Sequence, residues 1–290
     1  MMIRFIIILI VLLIITKKVI LQNENFLDLS KPNIWMYWEN KEGKNKPEYL
    51  KLCYQTVLKN CQRSFNIHLL DEKTVYKYLP NLRKDLDNYL NIPQKTDYIR
   101  LALLYKYGGI WIDSDTIVIK DMKSLWDKTK EYEFIGFGCT GYHCNSVESG
   151  YPRPSNWVLI SRKGGILMKE CLKEADLLIK DKPYIFKYKY HIMGRMLLWT
   201  KIKELLKTKK WDYLHMPSKC IERDSIGNKY VNNRLISDQE YDKKCKGKIY
   251  FLPIYNTAPG FPEWFLNLSK DELLKSNMLI SEMFKYALTN

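Results

Sequence analysis

From Lys95 to Asp115 the chain reads KTDYIRLALLYKYGGIWIDSD, and few folds accommodate residues in that order. Gln94 to Tyr107 is apolar almost all round and holds no helix breaker, which predicts a helix buried on every side. Gly108 and Gly109 then stop it, because glycine enters left-handed conformations at little cost. Gly109 to Ile112 is a short β-branched and aromatic run, the pattern of an interior strand, and it ends on Asp113-Ser114-Asp115. Two carboxylates one residue apart at the end of an apolar strand are costly unless a positive group sits between them. A divalent cation carrying a diphosphate answers that need, since hard cations take oxygen ligands and share them with phosphate.

Taken in order, Asp97, Arg100, Gly108, Gly109, Asp113 and Asp115 form the pattern D-x-x-R, an apolar run, then Y-G-G-I-W-x-D-x-D. This resembles the sugar-binding region of DXD glycosyltransferases, most closely glycosyltransferase family 32 and the related capsular polysaccharide synthesis proteins. The resemblance implies an α/β fold: a GT-A-like, single Rossmann-type domain with a mixed, mostly parallel sheet flanked by helices. It implies a hexosyltransferase that uses Mn²⁺ or Mg²⁺ and a UDP- or GDP-sugar, acting on a glycan, glycolipid or glycoprotein acceptor with retention of configuration. A non-catalytic glycan-binding protein on the same fold is the alternative.

Carried over residue by residue, the resemblance gives Asp113 and Asp115 to the metal, with Asp115 also in the catalytic set beside Asp97 and Arg100. Asp97 and Arg100 face the donor, and Gly109 lies on the donor side. Trp38, at the end of the IWMYW run, becomes a stacking platform for the nucleotide base or a core residue. Asp71 becomes a nucleotide contact or, with Thr74 three residues on, a helix cap. Asn156 lies near the sugar or simply opens its strand. His215 completes the metal site or is structural. A retaining transfer demands no evident catalytic base, and none stands out.

The formal charge is +15, but the lysines are spread along the chain among Asn, Ile and Tyr, which reads as compositional bias rather than a nucleic-acid surface. None of the seven cysteines forms a C-x-x-C pair, which argues against a zinc ribbon or thioredoxin-like centre. Cys139 and Cys144 flank a loop and either bridge in an oxidising lumen or remain thiols. Phe5 to Ile15 is unbroken apolar sequence, short for the ~30 Å hydrocarbon core of a bilayer. No small-residue cleavage site follows, so residues 1–21 read as a signal anchor in preference to a cleaved signal peptide. Residues 22–31 read as a linker and 32–290 as one catalytic domain, membrane-associated and lumenal. In a lumen the sequon at Asn267 would be usable.

Strands are expected at Ile34–Trp38, Phe65–Leu70, Thr116–Lys120, Phe134–Cys139, Asn156–Arg162, Tyr213–Pro217 (an edge) and Ile249–Leu252. Helices are expected at Pro47–Cys61, Ile166–Lys180, His191–Lys207 and Lys270–Leu288. The 140–155 loop, with His143 and Glu148, and the aromatic stretch with Tyr255, Phe261 and Trp264 are the expected acceptor side.

Overall fold

The computed structural model describes residues 30–40, 43–138, 154–208, 210–217, 250–254, 263–276 and 278–289. The apolar N-terminal segment, the loop carrying Cys139, His143, Cys144 and Glu148, and Tyr255 and Phe261 lie outside the described residues. Among the described residues no helix is long and apolar enough to cross a membrane.

The strands are β1 (Asn33–Tyr37), β2 (Asn66–Leu70), β3 (Gly109–Ile112), β4 (Thr116–Val118), β5 (Phe134–Gly138), β6 (Val158–Ser161), β7 (Leu214–Pro217) and β8 (Phe251–Pro253). The main sheet has the order β2-β1-β3-β6-β5-β7. β1 runs parallel to β2 and β3, and β5 parallel to β7, while β6 runs antiparallel to both of its neighbours. The sheet is therefore mixed and mostly parallel, as expected, with β7 at the expected edge. β4 does not join it. It pairs antiparallel with β8 in a separate two-stranded ribbon.

Side-chain alternation assigns the two faces of the sheet. Ile34 and Met36 of β1, Ile110 and Ile112 of β3, and Val158 and Ile160 of β6 pack into one core. Helix α1 (Glu48–Cys61) covers it with Leu50, Leu52, Cys53 and Val57. Trp35, Trp111 and Leu159 point the other way, against helices α2 (Ile92–Tyr107), α3 (Ile166–Asp181) and α4 (Leu197–Lys207). The expected single C-terminal helix is two, α5 (Lys270–Lys275) and α6 (Leu279–Thr289), because Ser276 turns the backbone extended. Ser269, the third residue of the sequon, caps α5 in a reciprocal box with Glu272.

Helix α2 starts two residues earlier than its apolar run suggests. Asn91 Oδ1 accepts from the Gln94 N–H at 3.0 Å while Gln94 Oε1 accepts from the Asn91 N–H at 3.2 Å, with Pro93 inside the first turn. Gly108 and Gly109 then carry φ of 69° and 112°. A Cβ at Gly109 would lie 2.4 Å from the Asn33 carbonyl oxygen, so only glycine lets β3 reach its place beside β1.

Candidate active site at the carboxyl edge of the sheet

β1, β2 and β3 all end at one edge, and in open α/β sheets ligands bind beyond the carboxyl ends of strands. Asp113 leaves β3 there. Its N–H donates to the Trp157 carbonyl at 2.9 Å, and the indole N–H of Trp111 donates to its Oδ1 at 2.8 Å. Ser114 Oγ donates to the Tyr37 carbonyl at 2.9 Å, tying the Asp-Ser-Asp corner to the end of β1.

Arg100, 5% exposed on α2, is the hub. It lies 3.1 Å from Oδ1 of Asp97 and 3.1 Å from Oδ1 of Asp113, and it also donates to the Asn156 carbonyl. Its guanidinium carbon stands 4.9 Å from the centre of the Trp111 ring, a cation–π distance. Among the described residues its buried Nε–H has no acceptor. Asn156 Nδ2 donates to Asp97 Oδ1 at 2.8 Å, so one asparagine serves both members of the pair. Burial raises Asp97 to about 6, with Asp113 adding to the rise while Arg100 and the Asn156 hydrogen bond oppose it. Burial likewise raises Asp113 above the usual carboxylate range, with Arg100 and the Trp111 hydrogen bond opposing. Part of the positive charge that the acid pair requires is therefore supplied by the protein.

Asp115 is half-buried, and its carbonyl accepts from the Ile254 N–H at 2.8 Å. Burial raises the Cys53 thiol and the Asp115 charge raises it further, which puts this carboxylate within electrostatic reach of α1. Among the described residues no group of three histidine, cysteine, aspartate or glutamate side chains gathers there or elsewhere to hold a metal.

Trp38 lies just past β1, half-buried against the core, with its indole donating to Asn40 Oδ1 at 2.8 Å. Asp71 lies just past β2 and caps the turn that follows. Its Oδ1 accepts from the N–H of Lys73 and from both the N–H and the hydroxyl of Thr74, at 2.7–3.0 Å. Both stand at the ligand edge, with local partners of their own. Two residues are placed elsewhere. Gly109 opens β3, about 13 Å from Asp113 by the rise of an extended chain, and its type is accounted for by the approach to Asn33. His215 lies on β7 in register with Gly136, and β5 and β6 separate that strand from β3 by about 14 Å in total. Trp264, one of the expected acceptor-side aromatics, is 51% exposed in the short helix Glu263–Leu266.

Three participants escaped the pattern of the sequence. Trp111 reads as core filling, yet an indole N–H needs an acceptor, and Asp113 two residues on shares its side of the strand. Gly194 interrupts the expected His191–Lys207 helix. Ile192–Met196 forms a π-type turn in which Gly194 has φ −98° and ψ −109°. A Cβ there would lie 2.3 Å from Asp97 Oδ2 and 2.4 Å from Asn156 Nδ2, so the backbone at Gly194 roofs the buried carboxylate. A lone glycine in an otherwise helical run was the available signal. The third is Tyr190. Burial raises its hydroxyl, and the Asp97 and Asp113 charges raise it further, which puts it within electrostatic reach of both carboxylates.

The architecture defines an α/β protein with acidic and cationic side chains gathered at the carboxyl edge of a mixed sheet. Residues 14–217 match the model of the capsular polysaccharide synthesis protein family, and the chain belongs to that family. It is 25% identical over 124 residues to the O-glycosyltransferase PaGT of Phomopsis amygdali, a match covering 37% of this chain and 30% of that protein. It is 26% identical over 125 residues to the O-glycosyltransferase braB of Annulohypoxylon truncatum, again over 37% and 30%. The chain thus spans about a third of the length of these curated relatives. Among solved structures it is similar to the glycosyltransferase GlyE of Streptococcus pneumoniae TIGR4, at 14% identity, 90% of this chain, 61% of that chain and a TM-score of 0.45. It is also similar to the galactosyltransferase LgtC in complex with donor and acceptor sugar analogs, at 13% identity, 89% of this chain, 96% of that chain and a TM-score of 0.46.

Proposed function

We propose that the chain is a metal-dependent glycosyltransferase, moving a hexosyl group from a UDP- or GDP-sugar to a glycan acceptor with retention of configuration. The observation that carries this reading is the convergence of Asp97, Arg100, Asp113 and Asn156, from three separate parts of the sequence, at the ligand edge of the sheet. The relatives named as O-glycosyltransferases support it.

Asp113 and Asp115 would hold Mn²⁺ or Mg²⁺. The donor set suits such a cation, because both are oxygen ligands and a carboxylate retains acceptor capacity beyond the two bonds made to Asp113 Oδ1. When bound, the metal neutralises charge on the departing diphosphate. Arg100 adds a fixed positive charge already oriented by four partners. Asp97, held by Arg100 and Asn156, orients sugar hydroxyls so that the anomeric carbon faces the acceptor. Trp38 and Asp71 border the nucleotide side. Anchoring through residues 1–21, with the remainder lumenal, belongs to the same proposal.

One observation favours the alternative of a non-catalytic glycan-binding protein: the Arg100 pair already neutralises Asp113 without a metal. A donor screen separates the two. Nucleotide release from UDP- and GDP-sugars is followed with Mn²⁺ or EDTA, with Asp113→Asn and Asp115→Asn alongside. Metal-dependent release of one nucleotide, lost in both variants, is expected. No turnover of any donor, with glycan binding equal in wild type and variants, would replace catalysis by the binding reading.

A further inference from the structure

One helical turn before Asp97, the start of α2 forms one wall of an open groove of about 500 Å³. Asn88, Tyr89 and Gln94 line it together with Tyr184, Phe186 and Lys187. The second wall is fixed rather than draped. Gln94 Nε2 donates to the Phe186 carbonyl at 2.9 Å, and Phe186 itself is buried. Tyr184 and Tyr89 nonetheless leave their rings exposed, at 67% and 43%. The chain then continues through exposed Tyr188 and Tyr190 to Gly194, whose backbone roofs Asp97. Aromatic faces therefore lead from the groove to the reacting corner.

The charge of this strip is predominantly positive. Residues 180–190 hold Lys180, Lys182, Lys187 and Lys189 against the single acid Asp181. Lys182, Lys187 and Lys189 are exposed, and among the described residues none of them pairs with a carboxylate. Next to Asn88, Asp87 shares the Lys95 ammonium with Glu39, each at 2.6 Å, so it is neutralised only in part and offsets one of these lysines at most. A shallow groove with exposed aromatic rings, side-chain amides and the Lys187 ammonium, with Lys182 and Lys189 near it in sequence, suits a pyranose chain. The C–H faces of the sugar lie on the tyrosines, its hydroxyls meet Asn88, and its carboxylates or phosphates meet the lysines.

We propose that this groove is the acceptor subsite and that its ligand is an acidic oligosaccharide, one carrying uronate or phosphate groups. This rests on the transferase reading and names the acceptor of the same site. A lipid surface would be met by an exposed apolar face, whereas Phe186 is buried here and the exposed rings of Tyr89 and Tyr184 carry hydroxyls.

The test measures binding of hexagalacturonate and of neutral maltohexaose to the full chain by calorimetry, with Tyr184→Ala, Tyr184→Phe and Lys187→Ala. Vesicles of phosphatidylcholine with phosphatidylglycerol form a separate arm, and binding of UDP and GDP with Mn²⁺ a parallel one. Hexagalacturonate is expected to bind in preference to maltohexaose. Tyr184→Ala should weaken it about 5- to 10-fold, the worth of one aromatic contact, and Tyr184→Phe should restore it. Lys187→Ala should weaken it about 2- to 5-fold and leave the neutral hexasaccharide unaffected. Equal binding by wild type and all groove variants would overturn the proposal. So would capture by anionic vesicles alone, lost in Lys187→Ala, which would make the strip a membrane contact. If glycan binding fails while UDP or GDP still binds with Mn²⁺, the acceptor groove falls and the transferase reading stands. If nucleotide binding fails while hexagalacturonate binds through Tyr184 and Lys187, the groove survives and the transferase reading falls.

Discussion

Gly194→Ala is the sharpest single perturbation of this site. The added Cβ would stand 2.3 Å from Asp97 Oδ2 and 2.4 Å from Asn156 Nδ2, where ordinary contact begins near 3.4 Å. One side or the other must retreat by roughly 1 Å, the scale on which misplacement of an aligned group costs about a hundredfold in rate. The carboxylate cannot swing freely, because its other oxygen is held by Arg100 and Asn156. Its retreat therefore loosens the pairing that also steadies Asp113. Overpacking of this kind costs about 1–3 kcal/mol of stability, or several degrees of Tm in a domain of this size, at ~2–4 °C per kcal/mol. The assay is metal-stimulated nucleotide release at saturating donor, alongside a thermal unfolding curve. Asn156→Ala serves as comparison, since it frees Asp97 without adding atoms and should lose less. Wild-type turnover in a folded Gly194→Ala protein would refute the argument. If Tm alone fell, the backbone would be absorbing the clash, and Gly194 would have no hold on Asp97.

Arg100→Met leaves Asp97 and Asp113 buried without their cation and should cost about 3–5 kcal/mol at pH 7. Because burial raises both carboxylates, Asp97 to about 6, they protonate more readily at pH 5 and the cost should shrink there; equal loss in urea unfolding at both pH values would contradict this. Gly109→Ala combines a φ of 112° with a Cβ 2.4 Å from the Asn33 oxygen, and should lose about 3 kcal/mol or more in the same measurement. His68 stacks on Trp35 at 4.4 Å and is lowered by burial from 6.5 to about 4. Between those values the unfolded chain binds a proton that the native chain does not, so stability falls as pH drops through the window. The loss reaches about 3 kcal/mol, and His68→Gln should flatten the slope between pH 7 and 4.5.

The helix-turn-strand block was legible because each of its transitions has a local cause. An unbroken apolar run makes α2, two glycines end it, and β-branched residues continue as β3. Asp97, Arg100 and Asp113 could be grouped because a helix face and a strand end fix their positions within a few residues. Asn156 was legible only through the family resemblance, since its arrival depends on β6 running antiparallel, and nothing in the four residues VLIS encodes direction. His215 shows the same limit. A short apolar strand declares itself an edge, but which strands stand between it and β3 is a property of the whole sheet. The break at Gly194 was hidden by an apolar periodicity that continues on both sides of it, from Met193 to Leu197 and Leu198. Conflict between that glycine and the helix around it was the trace left in the sequence.

The reversed strand has a consequence for how such a protein can diversify. β3 stands between a parallel neighbour and an antiparallel one, so its outgoing end meets the outgoing end of β1 and the incoming end of β6. Asn156 is therefore delivered to Asp97 by strand register, with Ile112 opposite Val158, rather than by the length or composition of the connection leading into it. The amide is indexed to the carboxylate as a bolt is to its plate. The index lies in the last residues before β6, where the Ser155 N–H donates to the Phe137 carbonyl and the Asp113 N–H to the Trp157 carbonyl, so changes earlier in the connection can explore new chemistry without disturbing the grip on Asp97.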